Sequence, residues 1–113
     1  EKKMRVKEFA QKTGFKIWAS DKALEREIAG VFVGDLLSWV MGNCEADQIW
    51  ITVQSHLNSV AVSALKEISM LVIAQGAPIE QEMIDKALEE DIALCACELP
   101  AYEICKKCVE LGL

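Results

Sequence analysis

The chain contains no apolar run approaching the roughly 20 residues that span a bilayer, which argues against a membrane segment. It has no excess of positive charge either. Acidic residues outnumber basic ones 18 to 12, for a formal net charge of −6 and a pI near 4.8. A nucleic-acid backbone or an anionic lipid surface as partner would need a clustered basic face, so both are excluded. No segment matches Gly-x-x-x-x-Gly-Lys-Ser/Thr, which removes a nucleotide-hydrolysing loop and with it a kinase. Linkers, low-complexity tracts and long repeats are also missing, and 113 residues make one domain, 1–113, with one core. The opening Glu1-Lys2-Lys3-Met4 leads into an amphipathic segment and not into a signal-peptide core, so the expected location is cytoplasmic. Five cysteines are an odd number in a chain that is 52% hydrophobic, which predicts reduced thiols in place of a disulfide framework.

What is present is a regular alternation. Val6, Phe9 and Ala10 share one helical face and Gly14 follows as a stop, which predicts a helix over 4–13. Phe15 to Ala19 reads as a strand. A second extended segment runs from Leu24 through Ile28 and Gly30 to Val33, ending at Gly34-Asp35. Asp35 is placed to cap a helix over Leu36 to Met41, with Gly42-Asn43 as its stop. From residue 48 the pattern is β-α-β-α-β-α, with strands Gln48 to Val53, Met70 to Ala74 and Ile92 to Cys97. Their near-continuous apolar character fits a parallel sheet covered on both faces. The first of these helices has Leu57, Val60, Ala61, Ala64, Leu65 and Ile68 on one expected buried stripe; the next has Ile79, Met83, Ile84, Ala87 and Leu88; the last has Ala101, Ile104, Cys105, Cys108 and Leu111. Pro78 and Pro100 stand near helix starts, where a missing N–H costs little. The expected fold is a three-layer α/β domain: a mostly parallel sheet with helices on both faces, built from βα repeats after a short N-terminal helix and extended segments.

Right-handed crossovers bring the helix starts to one edge of such a sheet, the edge where α/β folds bind ligands. That edge collects Asp35, Gln54, Ser55, His56, Asn58, Gln75, Gly76, Cys97 and Glu98 as candidate ligand-binding residues. His56, the single histidine, opens a helix whose free N–H groups favour an anion; alternatively Ser55 caps that helix and His56 and Asn58 are exposed first-turn residues. Gln54 and Asn58 would read polar edges of a ligand, and Gly76 would permit close backbone approach. Asp35 is placed either to pair with His56 or simply to cap its helix. No Gly-x-Ser-x-Gly elbow surrounds Ser55, so no catalytic residue is expected. Cys95, Cys97, Cys105 and Cys108 offer four thiolates for zinc or an iron–sulfur cluster, but on a buried strand and a helical stripe they read as small hydrophobes. No metal and no cofactor is expected. Trp18, Trp39 and Trp50 read as core or interface anchors, and an outward Trp39 would mark a dimer contact.

The spacing from Ile51 to Leu113, with Leu24-Glu25-Arg26-Glu27-Ile28 and Val33-Gly34-Asp35-Leu36-Leu37 upstream, resembles the DRTGG domain family. Similar domains form the non-catalytic N-terminal part of HPr kinase/phosphorylase. Gln54-Ser55-His56 stands where the family has Gly-Asp-Arg, and Ala74-Gln75-Gly76 where it has Thr-Gly-Gly. The pattern Gln54-Ser55-His56-x-Asn58 is similar to small single-domain members, some encoded near iron-only hydrogenase-like proteins and signalling ATPases. The resemblance implies a homodimeric regulatory module without chemistry of its own, binding a nucleotide or small phosphorylated metabolite, or a signalling or hydrogenase-like partner protein. The rival expectations are a pure interaction and dimerisation module and a cysteine-based metal or redox protein.

Overall fold

A computed structural model describes residues 3–113, which fold in the order α1 (Val6–Thr13), β1 (Lys16–Trp18), α2 (Asp21–Leu24), β2 (Gly30–Val33), α3 (Leu37–Asn43), β3 (Gln48–Thr52), α4 (Leu57–Lys66), β4 (Met70–Ile73), α5 (Gln81–Glu89), β5 (Ala93–Ala96) and α6 (Ala101–Glu110). The five strands form one sheet in the order β1-β5-β4-β3-β2. Strands β2 to β5 are parallel to one another, and β1 alone runs antiparallel, with Lys16 opposite Ala96 and Trp18 opposite Leu94. The expected three-layer, mostly parallel α/β architecture is thus present. No helix among the described residues is long and apolar enough to cross a membrane.

The layers follow from the strand order. Each of β3, β4 and β5 is added on the same side of its predecessor, so right-handed crossovers must put α3, α4 and α5 on a single face. Val40, Val60, Met83, Ile84 and Ala87 from those helices pack with Trp50, Leu71, Ile73 and Leu94 of the strands. The opposite face has to be covered by the two ends of the chain. There Val6 and Phe9 of α1 and Ile104 and Cys108 of α6 pack on Ile49, Ile51, Met70, Val72 and Cys95. Neighbouring strand residues alternate between these two cores, as the pleat requires, and both faces being dry explains why β4 is apolar at every position.

Several local expectations are corrected. The segment read as extended from Leu24 begins with the one-turn helix α2, capped by Ser20, whose Oγ accepts from Ala23 N at 3.2 Å and donates to Asp91 at 2.8 Å. Gly42 lies inside α3, which ends at Asn43 with Cys44 as its C-cap. The buried stripe of α4 is Ser59, Val60 and Ser63, while Ala61 is exposed and Leu65 is 69% exposed. The two serines are satisfied by the backbone: Ser59 Oγ donates to Gln54 O at 2.5 Å and Ser63 Oγ to Ser59 O at 2.7 Å. A hydroxyl so bonded is buried without an orphaned donor, and an apolar pattern is blind to it. Leu88 on α5 is likewise largely outside the core.

Candidate functional site

The C-terminal edge of the sheet is organised by Asp35, in a role different from the expected one. It does not cap α3, whose N-cap is Leu36 without a side-chain bond, and it makes no bond to His56. Its Oδ1 instead accepts from the Thr52 hydroxyl at 2.7 Å and from Val53 N at 2.9 Å, and its own carbonyl accepts from Gln54 Nε2 at 2.8 Å. Three bonds therefore hold the β3–α4 turn against the β2–α3 turn. The reason lies in the sheet: Val33 is paired with Ile51, so both strands deliver their turns to the same level of the edge. Trp50 reinforces the join, its Nε1 donating to Gly34 O at 2.8 Å.

His56 is the N-cap of α4, with Nδ1 accepting from Asn58 N at 3.0 Å. The capping role considered for Ser55 thus falls to its neighbour. An accepting Nδ1 leaves the proton of the neutral ring on Nε2, in an exposed side chain. Ser55 Oγ donates to Pro78 O and lies 3.8 Å from Met83 Sδ, which ties this turn to the one before α5.

Gln75 and Gly76 have φ of 59° and 65°. Their N–H groups donate to Leu99 O and Cys97 O, both at 2.9 Å, so the β4–α5 turn is stitched to the chain leaving β5. Gly76 does permit a close approach, and the group that approaches is the carboxylate of Glu98, which a Cβ at position 76 would strike.

These turns frame two depressions. One, of about 330 Å³, lies between the starts of α4 and α5 and is lined by Ser55, His56, Leu57, Glu80, Gln81, Glu82 and Met83. The other, of about 370 Å³, is lined by Lys16, Trp18, Gly76, Ala77, Ile79, Ala96, Cys97 and Glu98. The candidate residues are accordingly divided: Ser55 and His56 belong to the first, Gly76, Cys97 and Glu98 to the second, and Asp35, Gln54, Asn58 and Gln75 line neither. The first is flanked by two acids and by no lysine or arginine. The second carries Lys16, whose Nζ stands 5.1 Å from the Trp18 ring centroid. Lys16 escaped sequence reasoning and Trp18 reads there only as a core or interface anchor, because only the pairing of β1 with β5 brings them to this edge.

All five cysteines are free, and among the described residues no three histidine, cysteine or acidic side chains come together as a metal site. Burial pushes the Cys95 thiol far up, and pushes Cys108 up from 9.0 to about 11. The folded state therefore holds these protons more tightly than the unfolded chain. Their contribution to stability is intact below about pH 9 and is lost as pH rises toward 11. Urea midpoints measured between pH 8 and pH 11 should decline over that window, and Cys108→Ala should flatten the decline.

No protein-family model matches the chain, and no curated protein matches it. Among solved structures, the fold is similar to that of the CBS and DRTGG domains of the regulatory region of Clostridium perfringens pyrophosphatase, complexed with its activator diadenosine tetraphosphate. The TM-score is 0.69 at 12% sequence identity, over 86% of this chain and 42% of that one, so the chain spans under half of the neighbour's length. At that identity the likeness concerns the fold, and the fold is DRTGG-like, in agreement with the resemblance carried by the spacing from Ile51 to Leu113.

Proposed function

We propose that the chain is a non-catalytic regulatory domain that binds a small anionic metabolite or a nucleotide at the C-terminal edge of its sheet. The observation that carries this is the pair of depressions on either side of the β4–α5 turn, each of ligand size, built by turns that side-chain bonds hold in place. The fold supports it at a coarser level, since the similar pyrophosphatase region is regulatory and is complexed with a nucleotide activator. Glu80 and Glu82 repel a bare phosphate from the first depression, so the negative part of a ligand belongs nearer Lys16, and a polar part nearer His56.

A second reading is favoured by a different observation. Val33, Leu36, Trp39 and Val53 are apolar and exposed on or beside the edge strand β2, with Trp39 60% exposed. Such a surface suits a second copy of the chain, making a homodimeric interaction module.

A thermal-shift series with nucleotides and small phosphorylated metabolites, on wild type and His56→Ala, tests the first reading. A ligand at 100 times its Kd stabilises the folded state by about 2.7 kcal/mol, equivalent to several degrees. His56→Ala removes a cap and lowers the starting midpoint by itself, so the quantity compared is the ligand-induced increment, which should shrink in the variant. No increment with any compound, from a folded dimer that Trp39→Glu dissociates, would sink the ligand reading in favour of the interaction module.

A further inference from the structure

We infer that the depression beside β1 is a guanine-nucleotide subsite, in which Trp18 stacks on the base, Glu98 accepts from its Watson–Crick edge and Lys16 faces its phosphate. The inference rests on the ligand-binding reading above and names the ligand class for that edge.

The register supplies the geometry. Lys16 and Trp18 lie opposite Ala96 and Leu94 in the antiparallel pair, and Trp18, Leu94 and Ile79 pack into the same core, so these side chains stand on the α5 face of the sheet. Ala96 is small, which leaves the space between Trp18 and the β4–α5 turn unfilled. The turn itself adds Ala77 and Ile79 as apolar lining of the same depression. A depression lined by an indole and by aliphatic side chains suits a planar ring, and stacking on an aromatic side chain accepts any base.

The polar groups then choose among bases. Among the described residues neither Glu98 nor Lys16 has an ion-pair partner, although both line one depression. Glu98 lies against Gly76, where a Cβ would meet its carboxylate. An ionised carboxylate only accepts hydrogen bonds. Guanine alone among the common bases presents two adjacent donors, the N1–H and the 2-amino group, which match the two oxygens of a carboxylate as a guanidinium does. Adenine and cytosine place a ring acceptor beside their amino group, and uracil flanks its single N–H with carbonyls. Each of these would set lone pairs against the Glu98 carboxylate. Lys16, released from the face of Trp18, is the one cation lining the slot and the natural partner of a phosphate.

Isothermal titration of GMP, AMP, UMP and guanosine into wild type, Glu98→Gln, Trp18→Leu, Trp18→Phe, Lys16→Met and His56→Ala tests the assignment. GMP should bind about tenfold or more tightly than AMP or UMP, and Glu98→Gln should abolish that preference while the protein stays folded. Trp18→Leu should weaken GMP by about tenfold, with Trp18→Phe restoring most of the loss. Lys16→Met should weaken GMP and leave guanosine unchanged. A preference for AMP or UMP would overturn the guanine assignment. GMP binding that survives Glu98→Gln and Trp18→Leu but is lost in His56→Ala would overturn the subsite and leave the broader ligand reading standing. Absence of binding by all four compounds to folded wild type would remove the subsite, while the broader ligand reading would stand or fall on the thermal-shift series.

Discussion

Trp50→Ala will lower the unfolding midpoint by about 15 °C or more, the largest effect expected of any single substitution in this chain. Trp50 is fully buried, on the face of β3 that packs against α3, α4 and α5. Truncating a buried tryptophan costs about 3–5 kcal/mol through lost contacts and the cavity left behind. The Gly34 carbonyl that accepts from its Nε1 also loses a partner. Against a total stability of about 5–15 kcal/mol, such a change removes a large fraction of the margin. Trp50→Phe separates the two contributions, since it keeps most of the volume and loses the N–H. Thermal denaturation followed by circular dichroism distinguishes them, and a drop of only a few degrees for Trp50→Ala would contradict the packing described for β3.

The second large effect is expected at Asp35. Its exposed carboxylate accepts from a hydroxyl that is not exposed, for Thr52 is only 2% accessible. In Asp35→Ala that hydroxyl and the Val53 N–H both lose their acceptor, a cost of about 1–3 kcal/mol for each group left without a replacement. The consequence reaches beyond stability. The β3–α4 turn carries Gln54 to Asn58, and with two of its three bonds to residue 35 gone the turn is held against the β2–α3 turn more loosely, by Gln54 Nε2 on the residue-35 carbonyl. Hydrogen exchange at the Val53 amide should accelerate, and the ligand-induced thermal increment should fall with it. Asp35→Asn retains a side-chain carbonyl and should recover much of both. Unchanged exchange at Val53 in Asp35→Ala would show that the turn is held by something else.

The fold was legible in the sequence where burial on both faces wrote a simple message. The apolar runs at Gln48–Thr52, Met70–Ile73 and Ala93–Ala96 place three strands within a residue or two of where they are, and right-handed crossovers then fix which edge receives the helix starts. Legibility failed where side chains satisfy one another out of pattern. Ser59 and Ser63 are buried because the backbone accepts from them, and the stripe read from apolar residues holds at Leu57, Val60, Ala64 and Ile68 but fails at Ala61 and Leu65 for that reason. The role of Asp35 was missed for a related cause: a capping position and a cross-turn anchor look the same in one dimension. His56 was singled out because it is the only histidine, and its position at the mouth of a depression could be anticipated from the strand-to-helix junction. Lys16 and Trp18 could not be, since nothing in a short stretch near residue 17 announces that it will lie beside residue 95.

That pairing bears on the order in which the molecule can assemble. The sole neighbour of β1 in the sheet is β5, so Lys16–Trp18 has no strand to pair with until the chain has been made as far as Ala96. During synthesis, β2 to β5 can zip up one after another as they emerge, each finding its neighbour already waiting. Lys16–Trp18 must meanwhile stand by, and closing so long a loop is a slow, late event. Formation of the Trp18 slot therefore waits on β5, and a nascent chain stalled short of Ala96 would lack it altogether.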